Sequence, residues 1–536
     1  IVPSSDRRLT CSDIAVVGAQ PAVKSAIALS VDRYRRRKVN LRSDDGTINL
    51  SGEFIDFSDD HYVIRTALGE FRISAARVRC EGDACPTFET EAADLVFVGS
   101  DTLGQGLMPL LLSGYASYLD AEAAIKATGR DGEIIADLIG EGGFGDEIGT
   151  VLVTSTSSNN SFESLLAKEA MIGMSSRRIQ PAEARALRDN GAGNMVSPNQ
   201  EHIVAVDSLV VITHPSNAVA QISVEQLQDI YSGRVRNWKE IGGEDAPITV
   251  INRQQDSGTR SIFENGVFGQ AAPVSSSQTI AENNNTMASL VNGDPNAIGY
   301  VGYAFQRGAK ALSLVNECGM QTDPDAFSAK VEEYALQRRL YLYNRADQSA
   351  DNVTDFLTFA TSEYADGVIA KSGFIDLGVA RKRQQMDGGR ARALLDPNAD
   401  AFEGGVMREM LSEMLNYDRL STTFRFRTGS SNLDERAQID MKRLVDFLEL
   451  QPNGTKLLFV GFTDDVGPFE SNRALSVKRS EQVARELREF GKDRLAGIEI
   501  AVSGYGEIAP SACNSSEKGR SVNRRVEVWI ESAPES

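Results

Sequence analysis

Residues 248–263 read ITVINRQQDSGTRSIF, and the rest of the fold can be read outward from them. The run 248–252 is apolar enough for a buried strand, and Ile262 with Phe263 begins the apolar face of a helix. Between them, Arg253 leaves the strand, and Ser257, Gly258 and Thr259 occupy the turn into the helix. Free N–H groups at a helix N-terminus attract anions, Gly258 lets the backbone approach a ligand, and Arg253 adds a charged fork. The segment suits a small oxyanion. Taken alone, Ser-Gly-Thr before a helix is as often a simple N-cap.

Two other segments repeat that chemistry. Gly99-Ser100-Asp101-Thr102 ends the strand LVFVGS, and Ser175-Ser176-Arg177 follows the short strand AMIGM. Further strands (TVLVTST, VAVDSLVVIT, AIGYVGYAF) alternate with helices such as SVEQLQDIYSG, where Ser223 and Gln226 form a capping box and Gly233 ends the turn. Alternation over 89–380 predicts an α/β sheet with helices on its faces, divided into two lobes. Three hydroxyl-rich turns at lobe edges are expected to converge in the cleft between them.

Composition narrows the class. A chain of 536 residues, 41% of them hydrophobic, has material for several cores. The net charge of −19 repels phosphate backbones, so nucleic acid is not an expected partner. No apolar run reaches about 18 residues, so no transmembrane segment is expected. The three His (His61, His202, His214) are scattered and the five Cys form no CxxC, so neither a metal site nor a cofactor is expected. Cys80 and Cys85 flank a turn that a disulfide could close, leaving Cys11 as the candidate free thiol. Gly140, Gly142 and Gly145 satisfy GxGxxG, but strand-like sequence follows where a nucleotide site needs a helix, so the run reads as a turn.

The expected architecture is multidomain, α/β and α+β. Residues 1–38 form an N-terminal segment, helical or disordered, whose basic run 33–38 follows rather than precedes its mildly apolar part, the reverse of a secretory signal. Residues 39–88 alternate as four or five short strands of a small β domain, 89–380 form the two-lobed domain, 381–416 a linker, and 417–536 a compact α+β domain. The polar part of the linker, 381–403, about 23 residues, would if flexible give a typical span of roughly 25–29 Å, so the flanking domains are expected to act independently.

Four strings in 89–380 carry a resemblance: IGMSSR (172–177), IYSGRVRNWKEIGG (230–243), the Arg-x-x-x-Ser-Gly-Thr run (253–259) and NAIGYVGYAF (296–305). This part resembles the periplasmic phosphate-binding proteins of ABC importers, which implies a two-lobed venus-flytrap fold closing on phosphate. By that resemblance Ser100, Asp101 and Thr102 match the first phosphate loop, Ser175, Ser176 and Arg177 the second, and Arg253, Ser257, Gly258 and Thr259 the third. Family members also use an Asp to accept the proton of hydrogen phosphate. The second loop lacks it here, and Asp101 and Asp256 are the alternatives.

The C-terminal domain carries a second resemblance. Phe462-Thr463-Asp464-Asp465-Val466-Gly467, Asn472, Leu475-Ser476, Arg479, Gly504-Tyr505-Gly506 and Asn523-Arg524-Arg525 resemble the OmpA-like peptidoglycan-binding domain. The free end of a diaminopimelate stem peptide bears an ammonium and a carboxylate. Asp464 suits the first and Arg479 the second, with Thr463, Asn472, Asn523 and Arg524 around them. Together the resemblances imply a periplasmic, wall-associated solute-binding protein of a Gram-negative bacterium. It would capture phosphate or a similar oxyanion for an ABC permease and hold peptidoglycan non-covalently. The alternative is a wall-bound structural or sensory protein without a transport role. With no Ser-His-Asp set, metal cluster or nucleotide loop, an enzyme is not expected.

Overall fold

A computed structural model describes residues 38–43, 48–58, 61–74, 78–82, 84–85, 93–255, 257–269, 278–383, 401–426 and 437–532. Within them the chain falls into two compact units: residues up to 94 together with 123–154, and residues 95–122 together with 155 onward.

In the first unit, strands Lys38–Arg42, Asn49–Ser58, His61–Thr66, Gly69–Ser74 and Arg79–Glu81 form an antiparallel sheet. Side chains alternate across a strand, so Val39 and Leu41 turn to one face and pack with Tyr62, Ile64 and Val78. Cys80 and Cys85 are joined by a disulfide, with Cα atoms 5.8 Å apart. Residues 123–154 add the antiparallel strands Glu133–Ile139 and Glu147–Thr156, and the glycine run 140–145 is the turn between them.

In the second unit a long sheet runs in the order Thr279–Ala281, Thr249–Arg253, Ala297–Gly302, Glu201–Thr213, Gln337–Asn344, Ile172–Ser175, Leu95–Ser100. Strand Glu201–Thr213 pairs with Gln337–Asn344 up to Ser208 and with Ala297–Gly302 from Leu209 onward. These two strands therefore cross between two lobes. The chain from 209 to 336 builds one lobe around Leu209, Trp238, Phe263, Tyr300 and Leu336. The other holds Phe162, Leu165, Tyr341 and Tyr343, and its helices 351–371 pack on strand Leu95–Ser100 and helix Met108–Tyr118 through Phe97, Tyr115 and Phe356. This two-lobed α/β architecture is the expected one.

The C-terminal sheet has the order Arg381–Arg383, Tyr417–Arg425, Arg525–Glu531, Lys456–Gly461, Glu499–Gly504. Helices Ala437–Glu449 and Phe469–Gly491 cover one face through Met441, Leu444, Val483 and Leu487. Helix Ala401–Met414 covers the other through Val406, Met410 and Met414 against Phe462 and Trp529. A Cβ on Gly461 would stand 2.0 Å from the Ser476 carbonyl oxygen, so only glycine lets the long helix lie this close to the sheet.

Two expectations are corrected here. The described ends of the stretch 381–416 are not free: strand Arg381–Arg383 pairs with Tyr417–Arg425, and Ala401–Met414 is a core-forming helix. The apolar spacing of Val406, Met410 and Met414 was the overlooked signal. Nor are the two large domains independent: residues 155–380 and the C-terminal domain lie in one compact unit, joined by a Cys318–Cys513 disulfide. Cys11 lies outside the described residues. Peptide mapping of the non-reduced protein should show linked Cys80–Cys85 and Cys318–Cys513 peptides, and alkylatable thiols at these positions would contradict the pairing.

Candidate functional site

The three hydroxyl-bearing turns converge between the lobes. Ser100 ends strand Leu95–Ser100 and Thr102 lies in the helix that follows, while Ser175 ends the neighbouring strand Ile172–Ser175 and Ser176 follows it. From the other lobe, Ser257 caps helix Gly258–Val267 through the Arg260 N–H, and Thr259 sits in its first turn. A Cβ on Gly258 would approach Ser176 Oγ to 2.7 Å, so the third loop rests against the second. All six hydroxyl residues are buried. Ser100 Oγ is buried with no hydrogen-bond partner among the described residues.

Two arginines organise the cleft. Arg253 reaches across it: Nη2 donates to Asp101 Oδ2 at 3.0 Å and Nη1 to Asn284 Oδ1 at 3.1 Å. Its guanidinium is 2% exposed, and Nε has no partner. Asp101 also accepts the Thr102 N–H through Oδ1 at 2.9 Å, so the carboxylate is held on both oxygens. Asn252 Oδ1 accepts the Arg253 N–H at 2.9 Å and the Tyr300 hydroxyl as well, which fixes the backbone where strand becomes turn. Burial pushes the Tyr300 phenol up, so it stays a neutral donor.

Sequence reading missed the second arginine. Arg338, on crossing strand Gln337–Asn344, donates to Asp207 Oδ2 from Nη2 at 2.7 Å and from Nε at 3.0 Å. Its remaining donors reach Thr259 Oγ1 at 3.2 Å and Thr102 Oγ1 at 3.3 Å, one hydroxyl from each lobe. A charge interrupting an apolar strand, as Asp207 does in VAVDSLVVIT, was the available signal. Ser158 was also missed: its Oγ accepts the Ser176 N–H at 3.0 Å and lies 3.1 Å from Ser176 Oγ.

Arg177 takes a different place from the other cleft residues. Its guanidinium forks onto Glu183 at 2.9 and 2.6 Å, donates to Asn159 and lies over the Phe162 ring. Asp256 lies outside the described residues.

In the C-terminal domain, Asp464 Oδ2 accepts Arg524 Nη1 at 2.8 Å, and Arg524 Nη2 donates to Glu517 at 2.7 Å. Arg479 donates to the Phe462 carbonyl at 3.3 Å and lies over the Phe426 ring. Burial lowers its pKa to about 10, partly opposed by the Asp464 charge nearby. Asp464, Arg479 and Arg524 thus form one buried charge cluster. Asn472 donates to Glu507 and to the Asp464 carbonyl, and the Thr463 hydroxyl is buried without a partner among the described residues. Asn523 is committed to the loop 511–514, accepting the N–H groups of Ser511 and Ala512 and donating to Asn514.

Comparison with known proteins agrees with this division. Residues 121–364 match the PBP superfamily domain and residues 425–524 match the OmpA family. The chain carries a PBP-like domain followed by an OmpA domain. The PBP domain is 29% identical over 185 residues to the phosphate-binding protein PstS of Bacillus subtilis (strain 168), covering 34% of this chain and 60% of that protein. It is 27% identical over 186 residues to PstS of Borreliella burgdorferi, covering 33% and 66%. The chain therefore spans less than two thirds of the length of these curated relatives. Among solved structures, a putative phosphate ABC transporter substrate-binding protein with bound phosphate from Clostridium perfringens aligns at TM-score 0.41 and 24% identity. The alignment covers 53% of this chain and 98% of that one.

Breaking a buried ion pair by removing one partner costs about 3–5 kcal/mol, because the other charge stays uncompensated. Asp207→Ala should therefore destabilise the second unit by about that amount in chemical denaturation. Asp207→Ala combined with Arg338→Leu should lose less than Asp207→Ala alone. Equal losses would mean that Arg338 is not the group left stranded.

Proposed function

We propose that this protein is a periplasmic solute-binding protein that captures phosphate or a similar oxyanion in the PBP domain and holds peptidoglycan through the OmpA domain. One observation carries the first half: three hydroxyl-rich turns from two lobes meet around two buried arginines, Arg338 bonded to Thr102 and Thr259, and Arg253 bonded to Asp101 with an Nε–H that has no partner among the described residues. An anion held there receives N–H groups from the start of helix Gly258–Val267, hydroxyls from Ser100, Thr102, Ser176, Ser257 and Thr259, and a charge-assisted bond from Arg253. Asp101, beside Arg253, is the carboxylate suited to accept the proton of hydrogen phosphate, which sulfate lacks at neutral pH. The similarity to phosphate-binding proteins supports the same reading. Delivery to an ABC permease in a Gram-negative periplasm is the physiological role most consistent with the pair of domains.

Calorimetry with phosphate, sulfate and arsenate tests the ligand. Arg253→Ala should cost roughly 1.5–3 kcal/mol of phosphate binding, or one to two decades of affinity. Unchanged affinity would remove Arg253 from the site.

For the wall, the buried cluster of Asp464, Arg479 and Arg524 supports recognition of a zwitterionic stem-peptide end. One acidic and two basic groups stand ready to meet an ammonium and a carboxylate. Asp464→Ala and Arg479→Ala should each reduce pull-down of the full chain by isolated sacculi about tenfold or more. Retention by both variants would overturn the anchor.

A further inference from the structure

We propose that the OmpA domain is a clamp across the two lobes of the PBP domain and holds the cleft closed. The lobes are joined by only two strands, Glu201–Thr213 and Gln337–Asn344, the arrangement expected of a hinge. Rotation about those strands moves everything attached to one lobe relative to everything attached to the other. The OmpA domain is attached to both.

On the lobe built from 209–336 the attachment is covalent and ionic. Cys513 is bonded to Cys318. Arg419 donates to Glu333 at 2.8 Å, and Arg425 donates to Glu332 at 2.7 Å and to the Val331 carbonyl at 2.6 Å. On the other lobe, Arg443 donates to Asp366 at 2.6 Å and to the Thr361 carbonyl at 2.9 Å, while Ile439 packs against the core containing Ile203, Tyr341 and Tyr343. Arg443 and Ile439 sit on the same helix, Ala437–Glu449, whose inner face is locked into the OmpA core by Met441, Leu444 and Val445. The domain between the two attachments is a packed sheet with helices on both faces, and packed cores do not deform continuously.

The cleft in this clamped state is shut. Arg253 from one lobe meets Asp101 from the other, and Arg338 bonds to a threonine on each side. Opening must break one set of attachments. Because the Cys318–Cys513 side is covalent, the Arg443 side must give way.

The test uses the full chain with Cys11→Ser, carrying spin labels at Ala186→Cys and Glu225→Cys, exposed positions on opposite lobes. Without phosphate, the chain with its clamp intact should give one short inter-lobe distance by pulsed electron paramagnetic resonance. Releasing both attachments (Cys318→Ser, Cys513→Ser and Arg443→Ala) should lengthen and broaden that distance. Asp366→Asn with the disulfide intact gives the same comparison if the triple variant does not fold. A released chain that keeps the short distance, or an intact chain as open as the released one, overturns the clamp. The second readout rests on the phosphate reading. If a minor open state admits the ligand, at about 10% population or less, phosphate should associate at least about tenfold more slowly with the intact chain. Failure of both chains to bind phosphate would overturn that reading, while the distances would still decide the clamp.

Discussion

The ion pair between Arg338 and Asp207 is the constraint on which the cleft is organised. Both residues lie on the strands that cross between the lobes, and both are almost fully buried. An isolated charge there would be very costly, so each partner makes the other tolerable. What remains of the Arg338 guanidinium is spent on Thr102 and Thr259, one from each lobe. The pair therefore sets the positions of the two hydroxyls nearest the hinge. Arg253 repeats the logic farther out, reaching Asp101 on the opposite lobe and Asn284 on its own.

The OmpA domain adds a second order of constraint. The sheet that carries Asp464 and Arg524 at one end also carries Arg419 and Arg425, which engage Glu333 and Glu332. Arg425 further donates to the Val522 carbonyl, two residues before Arg524. The surface facing the two lobes and the Asp464–Arg524 cluster are thus parts of one packed element. Any rearrangement at one has a short mechanical path to the other.

Much of this was legible in the sequence, for physical reasons. One strand-to-helix turn rich in Ser, Thr and Gly reads equally as a helix cap, but three of them recur along the chain, so the loops could be named before the lobes were seen. The Cys80–Cys85 pair was readable because five residues around a turn fit disulfide geometry. Less legible was anything that depends on contacts distant in the chain. Arg338 looks like an ordinary charge opening a strand until Asp207, on the other crossing strand, is placed beside it. Arg177 reads as an anion ligand because its position fits, yet Glu183, six residues on, takes its guanidinium. Polar, glycine-bearing sequence around 381–403 suggested a tether and hid the helix that starts within it. The Cys318–Cys513 bond, 195 residues apart, leaves no local trace.

One consequence follows from how the cleft is charged. Its two arginines are each matched by an aspartate, so the pocket as built is close to electrically neutral. An anion bound there would be held mainly by the dipoles of N–H and O–H groups, not by an excess of positive charge. Dipoles act over short distances and in fixed directions, so they would reward an oxyanion of the right shape and hydrogen-bond pattern and give little to one that is merely negative. The chain as a whole carries −19, a field that repels anions at long range and fades as salt screens it. Capture in such a protein would depend on geometry met at the last few ångströms, with added salt easing the approach instead of weakening the hold.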